Sequence, residues 1–404
     1  MIYNIALYLY SICAYIVSLF SKKVKLLVKG HFQTFRILQK QMQEGGRYIW
    51  FHAASLGEFE QGRPLMERLR KEHPEYKILL TFFSPSGYEV RKNYEGADVI
   101  CYLPFDTPSN ARKFVKTAHP VMAFFIKYEF WSNYYHQLHK HGIPIYSVSS
   151  IFRPGQLFFR WYGSCKVLTY ITRLYVQNEE SKQLLAKHGI HHVTVVGDTR
   201  FDRVIDIRQQ AKDLPLVEAF KNGSMVQVAG SSWQPDEDLI IPYFNTHPDI
   251  KLILAPHVID ESHLKDIESK LKRPYVRYTD ATEENVKTAD CLIINCFGLL
   301  SSIYRYGELT YVGGGFGVGI HNVPEAAVYG IPVMVGPNNK KFREARQLLQ
   351  SGGCIEIVDA DSYNSNMDRL INDSGFRHSC GQTAGNYIAD NAGVADKIFR
   401  DIFG

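Results

Sequence analysis

Short apolar runs and helix-length segments alternate along almost the whole chain, and that alternation leaves few folds open. Strands are predicted at 48–52, 77–83, 99–103, 121–126, 143–148, 174–177 and 193–196, separated by helical segments such as 59–71, 111–118, 158–169 and 180–188. A second series begins near Met225, with strands at 225–229, 250–254, 291–294, 309–312, 332–335 and 354–358. Strands that are apolar throughout, rather than at every second residue, are covered on both faces, and the intervening helices serve as crossovers. The expected class is therefore α/β, with two Rossmann-like, doubly wound parallel-sheet domains. A chain of 404 residues can bury two cores, and the polar stretch 202–221, with Asp213-Leu214-Pro215, reads as the linker between them. Open sheets of this kind bind ligands beyond the carboxyl ends of their strands, so the functional residues belong to strand-end loops of both halves, facing a cleft.

Residues 1–20 carry no charge and are followed at once by Lys22, Lys23, Lys25 and Lys29. About twenty apolar residues suffice to cross a bilayer, and the lysines would hold the downstream flank in the cytoplasm. A cleaved signal peptide needs its charges before the apolar run and a small-residue site after it, and neither is present. The segment is thus expected to anchor the chain to a membrane. It either spans the bilayer or lies on its surface as an amphipathic arm, for which Tyr8, Tyr10 and Tyr15 speak. Residues 32–44 read as helix. The net charge of +5 comes with no dense Lys/Arg tract mixed with aromatics, which argues against nucleic acid as a partner. Seven cysteines, an odd number without a CxxC pair, argue against a disulfide framework or a structural zinc and suit a reducing cytoplasm.

The most specific local pattern is His321-Asn322-Val323-Pro324-Glu325, shortly after Val312-Gly313-Gly314-Gly315 and before Gly330-Ile331-Pro332-Val333. It predicts a buried strand, a glycine-rich turn, a helix start with an early proline, and a second buried strand. Backbone N–H groups and a helix dipole there would receive a phosphate without a metal ion, and Glu325 would accept from a sugar's vicinal hydroxyls. A nucleotide or nucleotide-sugar pocket is implied. The plain alternative is a tight strand-to-helix turn of any α/β domain. Three further lips of the second half could take part: Gly230-Ser231-Ser232-Trp233 before a helix opening at Pro235-Asp236-Glu237, Ala255-Pro256-His257, and Phe297-Gly298-Leu299-Leu300. Ser231 and Ser232 supply hydroxyls there. No His/Asp/Glu cluster has metal-ligand spacing, so no metal or cofactor is expected.

In the first half, strand 48–52 runs into Ala53-Ala54-Ser55-Leu56-Gly57-Glu58. Gly57 would allow a sharp turn, and Glu58, at or just before a helix N-terminus, would stay ionised and serve as a general base, or would only cap the helix. Glu129, in Lys127-Tyr128-Glu129-Phe130-Trp131-Ser132-Asn133, could hold an acceptor sugar with Trp131 stacking beside it, unless the indole belongs to the core. Arg200, in Gly197-Asp198-Thr199-Arg200-Phe201-Asp202, could neutralise a phosphate leaving group or pair structurally with Asp198 or Asp202.

These motifs, in this order, resemble the lipid A Kdo transferases, which are 3-deoxy-D-manno-octulosonic acid transferases of the GT-B fold, and the resemblance covers nearly the whole chain. It implies an inverting, metal-independent transfer of Kdo from CMP-Kdo to a lipid A precursor such as lipid IVA, on the cytoplasmic side of a bacterial inner membrane whose lipids are a further partner. Glu58 matches the family's catalytic base, and Glu129 and Arg200 match positions that steady the transition state. The CMP contacts fall on Pro256 and His257, on Phe297, Gly298 and Leu299, and on Asn322, Val323, Pro324 and Glu325. Members commonly carry Arg at the position of His257, Lys at that of Arg200, and an acid where this chain has Lys127. The implied layout is an anchor at 1–30, an acceptor domain at 31–205 and a CMP-Kdo domain at 206–404, its last helix able to pack back on the first domain. Alternatives are another GT-B glycosyltransferase, a sugar-nucleotide epimerase, or a non-catalytic, membrane-tethered CMP-binding protein. The number of Kdo groups added and the oligomeric state stay open.

Overall fold

The computed structural model describes residues 2–160 and 165–404. The chain forms two compact units, one of residues 1–203 with 393–404 and one of residues 204–392. In the first, strands β1 (Tyr48–Ala53), β2 (Lys77–Phe82), β3 (Val99–Tyr102), β4 (Met122–Ile126), β5 (Ile145–Ser150), β6 (Arg173–Val176) and β7 (Val193–Val195) make a sheet of order β3-β2-β1-β4-β5-β6-β7. Every pairing in it is parallel, as between β1 and β2, where Tyr48 faces Lys77 and Ala53 faces Phe82. All six residues of β1 are buried, because its alternate side chains enter two different cores. Tyr48 and Trp50 join Leu79, Phe114 and Phe125 on one face, while Ile49 and Phe51 join Leu80, Phe124 and Ile398 of the C-terminal helix Val394–Phe403 on the other.

The second unit repeats the plan with β8 (Met225–Ser232), β9 (Ile250–Pro256), β10 (Tyr275–Arg277), β11 (Cys291–Ile293), β12 (Leu309–Val312), β13 (Val333–Val335) and β14 (Cys354–Glu356), in the order β10-β11-β9-β8-β12-β13-β14 and again wholly parallel. Each order reverses direction once, between β1 and β4 in the first sheet and between β8 and β12 in the second. Crossovers leave to opposite sides at such a point, so the strand ends there open a crevice suited to a ligand.

The N-terminal apolar run, for which the sequence leaves spanning and surface binding open, forms α1 (Ile2–Val17), which ends after 16 residues; among the described residues no helix is long and apolar enough to cross a membrane. Ser21 caps a second helix, α2 (Lys22–Gln41), whose Leu27 and Val28 pack with Ala14 and Phe105, and the Tyr3 hydroxyl donates to Asp106 Oδ2 at 2.6 Å. Three expectations need correcting. The supposed linker 202–221 is mostly helical, in Arg200–Gln209 and Pro215–Lys221, each burying a narrow apolar edge of which Val204, Val217 and Phe220 are part. The helix expected at 158–169 is replaced by short 3₁₀ turns at Leu157–Phe159 and Lys166–Tyr170, and its residues 161–164 lie outside the described residues. Finally, β10 was not foreseen, being three residues long and at a sheet edge.

Candidate active site

The reversal point of the first sheet gathers the acidic residues. After β1 the chain turns at Ala54 and Ser55 into α3 (Leu56–Glu72). Gly57 is therefore the second residue of a helix and makes no turn, and Glu58 stands third. Its carboxylate reaches back, Oε2 accepting from Ser55 N at 2.9 Å and from Ser55 Oγ at 3.2 Å, which fixes the side chain against the start of the helix. Burial, and then the charge of Glu129, push the Glu58 carboxyl above the usual carboxylate range, while His52 and the Ser55 bonds pull the other way. The expected helix-dipole stabilisation of the anion is thus outweighed by desolvation. For a group that must take a proton from an alcohol this is the useful direction, since a more basic carboxylate accepts it more readily.

Glu129 follows β4. Lys127 there takes a left-handed backbone, φ +62°, that a non-glycine residue adopts rarely, and such strain collects where a chain must aim a functional side chain. Trp131 Nε1 donates to Glu129 Oε2 at 2.8 Å, and its ring packs 4.9 Å from that of Phe83. The indole therefore steadies Glu129 from a largely packed position. His52, fully buried in β1, lies 3.3 Å from the same oxygen through Nε2. No local motif marks His52; the available signal was a lone polar ring near the end of an otherwise apolar strand. Arg200 opens helix Arg200–Gln209 and is held by Asp198, whose Oδ2 accepts from Nε at 2.9 Å, so the structural pairing weighed for it is present. Asp198 is in turn gripped by Gln61. Tyr128 feels the charges of Arg153, Asp198, Arg200 and Glu58, which puts all of these at the same end of the sheet.

The reversal point of the second sheet gathers rings and glycines instead. β8 bulges at Ser231, φ +53°, between Gly230 and Ser232. Ser232 is buried and gives its hydroxyl to Glu237 Oε1 at 2.8 Å, while Glu237 Oε2 meets His263 Nε2 at 2.8 Å. Asp236, equally buried, accepts from Trp233 N, Tyr311 Oη and Gly314 N at 2.9, 2.8 and 2.8 Å. The first turn of helix Gln234–Thr246 is thus already occupied by two carboxylates and is no anion site. Most of the glycine N–H groups after β12 are not open to a phosphate: Gly313 N goes to Gly230 O, Gly314 N to Asp236, and Gly317 N and Gly319 N to Gly314 O. Gly313 and Gly315 are glycines for packing, since a Cβ on Gly313 would stand 2.4 Å from Ser231 O and one on Gly315 2.5 Å from Gly336 Cα.

What faces outward is a stack of rings. His257, exposed just past Pro256 at the end of β9, lies 4.4 Å from His321 and 4.8 Å from Trp233, nearly parallel to both. Trp233 Nε1 donates to His321 Nε2 at 3.0 Å, so that nitrogen carries no proton. Burial and the neighbouring His257 hold His321 below the usual histidine range, in keeping with a neutral ring. Helix Val323–Ala327 is only five residues long, which makes its dipole slight. Val323 and Pro324 are buried in it, and Asn322 donates to Glu325 Oε1 at 2.6 Å. Phe297, Gly298 and Leu299 form the turn after β11, with Phe297 exposed and Gly298 at φ +86°. The donor-side candidates therefore lie on four consecutive strands, β11, β9, β8 and β12.

Residues 29–203 match the family described as 3-deoxy-D-manno-octulosonic-acid transferase (kdotransferase), the match ending where the first unit's main segment does. Relatives extend over both units. The chain is 28% identical to the 3-deoxy-D-manno-octulosonic acid transferase of Aquifex aeolicus (strain VF5) over 333 residues, 80% of this chain and 86% of that protein. It is 25% identical to the Haemophilus influenzae enzyme of the same name over 366 residues, 87% of this chain and 85% of the other. Among solved structures, UDP-GlcNAc 2-epimerase from Neisseria meningitidis, bound to UDP-GlcNAc, shares the fold at a TM-score of 0.62 and 13% identity, covering 88% of this chain and 99% of that one. Two parallel-sheet α/β units of the kind found in GT-B proteins, with acids at one reversal point and stacked rings at the other, accompany these matches, which support a Kdo transferase: the chain is similar over both units to 3-deoxy-D-manno-octulosonic acid transferases.

Proposed function

We propose that this chain transfers Kdo from CMP-Kdo to a hydroxyl of a lipid A precursor, lipid IVA, with inversion and without a metal ion. The observation that carries this reading is Glu58, a carboxylate fixed by its own helix cap and made more basic by burial and by Glu129. Glu58 takes the proton of the acceptor hydroxyl as its oxygen bonds to the anomeric carbon. The bond from that carbon to the donor phosphate breaks, and CMP leaves with the electron pair. Attack from the side opposite the leaving group gives inversion. Glu129 offsets positive charge developing at the sugar, and Arg200, oriented by Asp198, meets the negative charge of the departing phosphate or the Kdo carboxylate. Pro256, His257, Phe297 to Leu299 and Asn322 to Glu325, with Ser231 beside them, hold the donor. With the N–H groups of Gly313, Gly314, Gly317 and Gly319 bonded internally, the outward ring stack of His257 and Trp233 is the surface for the CMP base.

The same reading puts the chain on the cytoplasmic side of a bacterial inner membrane, with α1 lying on the bilayer. Leu9, Ile12, Ile16, Leu19 and Phe20 are exposed on and just after α1, and Lys22, Lys23, Lys25 and Lys29 project from α2 toward anionic headgroups. The test is to incubate the detergent-purified protein with CMP-Kdo and tetraacyl lipid A precursor in the presence of a chelator and to weigh the lipid. A gain of one or more Kdo units is expected. No gain at any protein concentration would sink the proposal, and a gain that appears only when a divalent ion is restored would remove its metal-free clause.

A further inference from the structure

We propose that His52 is a positioning residue of this transfer, fixing the aim of Glu129 beside Glu58; the proposal rests on the glycosyl-transfer reading above. His52 sits in a strand whose other residues, Tyr48, Ile49, Trp50, Phe51 and Ala53, are apolar or aromatic and buried. A buried imidazole is stable only with its nitrogens satisfied, and both are: Nδ1 is 2.9 Å from Thr81 Oγ1, and Nε2 faces Trp131 Nε1 at 3.1 Å and Glu129 Oε2 at 3.3 Å.

The ring is gripped from both sides. Trp50 Nε1 donates to Thr81 Oγ1 at 2.8 Å, and that hydroxyl meets His52 Nδ1 at 2.9 Å and Phe51 O at 3.4 Å. On the other side Trp131 Nε1 lies between His52 Nε2, at 3.1 Å, and Glu129 Oε2, at 2.8 Å, while Nε2 and Oε2 are 3.3 Å apart. An indole N–H can only donate, so Trp131 ties the imidazole and the carboxylate together, and Thr81 fixes the ring from behind.

A histidine that merely filled space would need none of these partners, and the first unit contains one for contrast. His31 is buried among Phe83, Tyr102 and Phe105 with neither ring nitrogen hydrogen-bonded. The His52 array ends instead on the acid that flanks the proposed base. The titratable groups that face Glu58 are His52 from β1 and Glu129 and Tyr128 from the loop after β4, and Tyr128 in turn faces Arg153, Asp198 and Arg200. Within this set His52 favours the ionised form of Glu58 and Glu129 opposes it.

The test uses the full-length protein and the variants His52→Gln, Thr81→Val and Thr81→Ser. For His52→Gln the expected result is a fall in kcat of about tenfold or more, with the KM for donor unchanged and the acidic limb of the kcat/KM profile displaced upward by about one pH unit, because a group favouring ionised Glu58 is gone. Thr81→Val should displace the limb in the same direction by less, and Thr81→Ser, which keeps the hydroxyl, should restore the wild-type profile. Glu129→Gln should move the limb the opposite way. A loss of kcat with an unmoved limb in both His52→Gln and Thr81→Val would reduce His52 to a structural residue and overturn the proposal. A second readout needs no substrate: in protein labelled with ¹⁵N-histidine, the resonances absent from His52→Gln should shift in Thr81→Val and in Glu129→Gln, since the ring touches both partners. Resonances unmoved in both variants would also overturn it. Because this measurement is independent of turnover, a wild type inactive on CMP-Kdo would remove the transfer reading without being mistaken for failure of the histidine array.

Discussion

The two sheets share strand number, parallel pairing and a single reversal point, yet the crevices there hold opposite chemistry. The first brings Glu58, Glu129 and His52 together with the Asp198–Arg200 pair close by. The second offers Trp233, His257 and His321 as a ring stack, and the carboxylates beneath it, Asp236 and Glu237, are buried and wholly engaged by their own unit. Topology therefore fixes where a ligand can sit but not what happens to it. In one unit the acids are partly buried and electrostatically coupled, which suits proton transfer. In the other they brace a scaffold and leave the outer surface to rings, which suits holding a planar base.

The largest effect that would test this division is at Glu58. Glu58→Gln keeps the shape and a hydrogen-bonding amide but removes the basic oxygen, so kcat should fall by about 10²–10⁴-fold while CMP binding to the second unit, followed by calorimetry, stays at the wild-type value. Near-normal turnover would show that the first crevice is not where the proton goes. Lost CMP binding would show that the two crevices do not divide the work as their chemistry suggests.

A smaller effect is expected at Asp236, where the second unit's scaffold depends on one carboxylate accepting from three donors. Asp236→Asn replaces charge-assisted acceptance with an amide that turns a donor toward Gly314 N or Tyr311 Oη, and should lower stability by about 2–3 kcal/mol, read as a lower urea midpoint. CMP affinity should fall with it, because the glycine turn loses its tie to helix Gln234–Thr246. An unchanged midpoint would mean that the turn holds its shape without Asp236.

Asp236 also marks where the sequence stops being readable. Apolar runs such as 48–53 and 250–256 announce buried parallel strands because burial on both faces demands uninterrupted hydrophobicity. Glu58 and Glu129 were visible as acids at strand ends. By contrast, the glycines after β12 look like a phosphate cradle until Asp236, 78 residues earlier in the chain, is seen holding Gly314 N. Arg200–Gln209 and Pro215–Lys221 read as a linker because helices with one thin buried edge carry little periodic signal. Partners distant in sequence also hid His52, whose role is visible only once Thr81 and Glu129 are placed on either side of it.

The smallest effect at neutral pH separates the units by their response to acid. His31, packed against Phe83 and Phe105 with unbonded nitrogens, is held down to about 3 by burial, against an ordinary value of 6.5. Below pH 6.5 the unfolded chain binds a proton there that the folded chain refuses, so the unfolded state gains as pH falls, until the folded ring itself titrates near 3. His31→Phe should therefore stabilise the first unit by about 1 kcal/mol at pH 7.5, by removing two unsatisfied polar atoms from an aromatic nest. Its advantage should grow by about 1.4 kcal/mol on going to pH 5.5, as a lowered histidine value requires. Urea unfolding at the two pH values, followed through aromatic signals of each unit, would measure both quantities. His31→Phe should leave the second unit's transition where it is, because His31 belongs to the first unit. An advantage for His31→Phe that is constant between the two pH values would show that the ring is protonated within the fold, and that the acid sensitivity assigned to the first unit lies elsewhere.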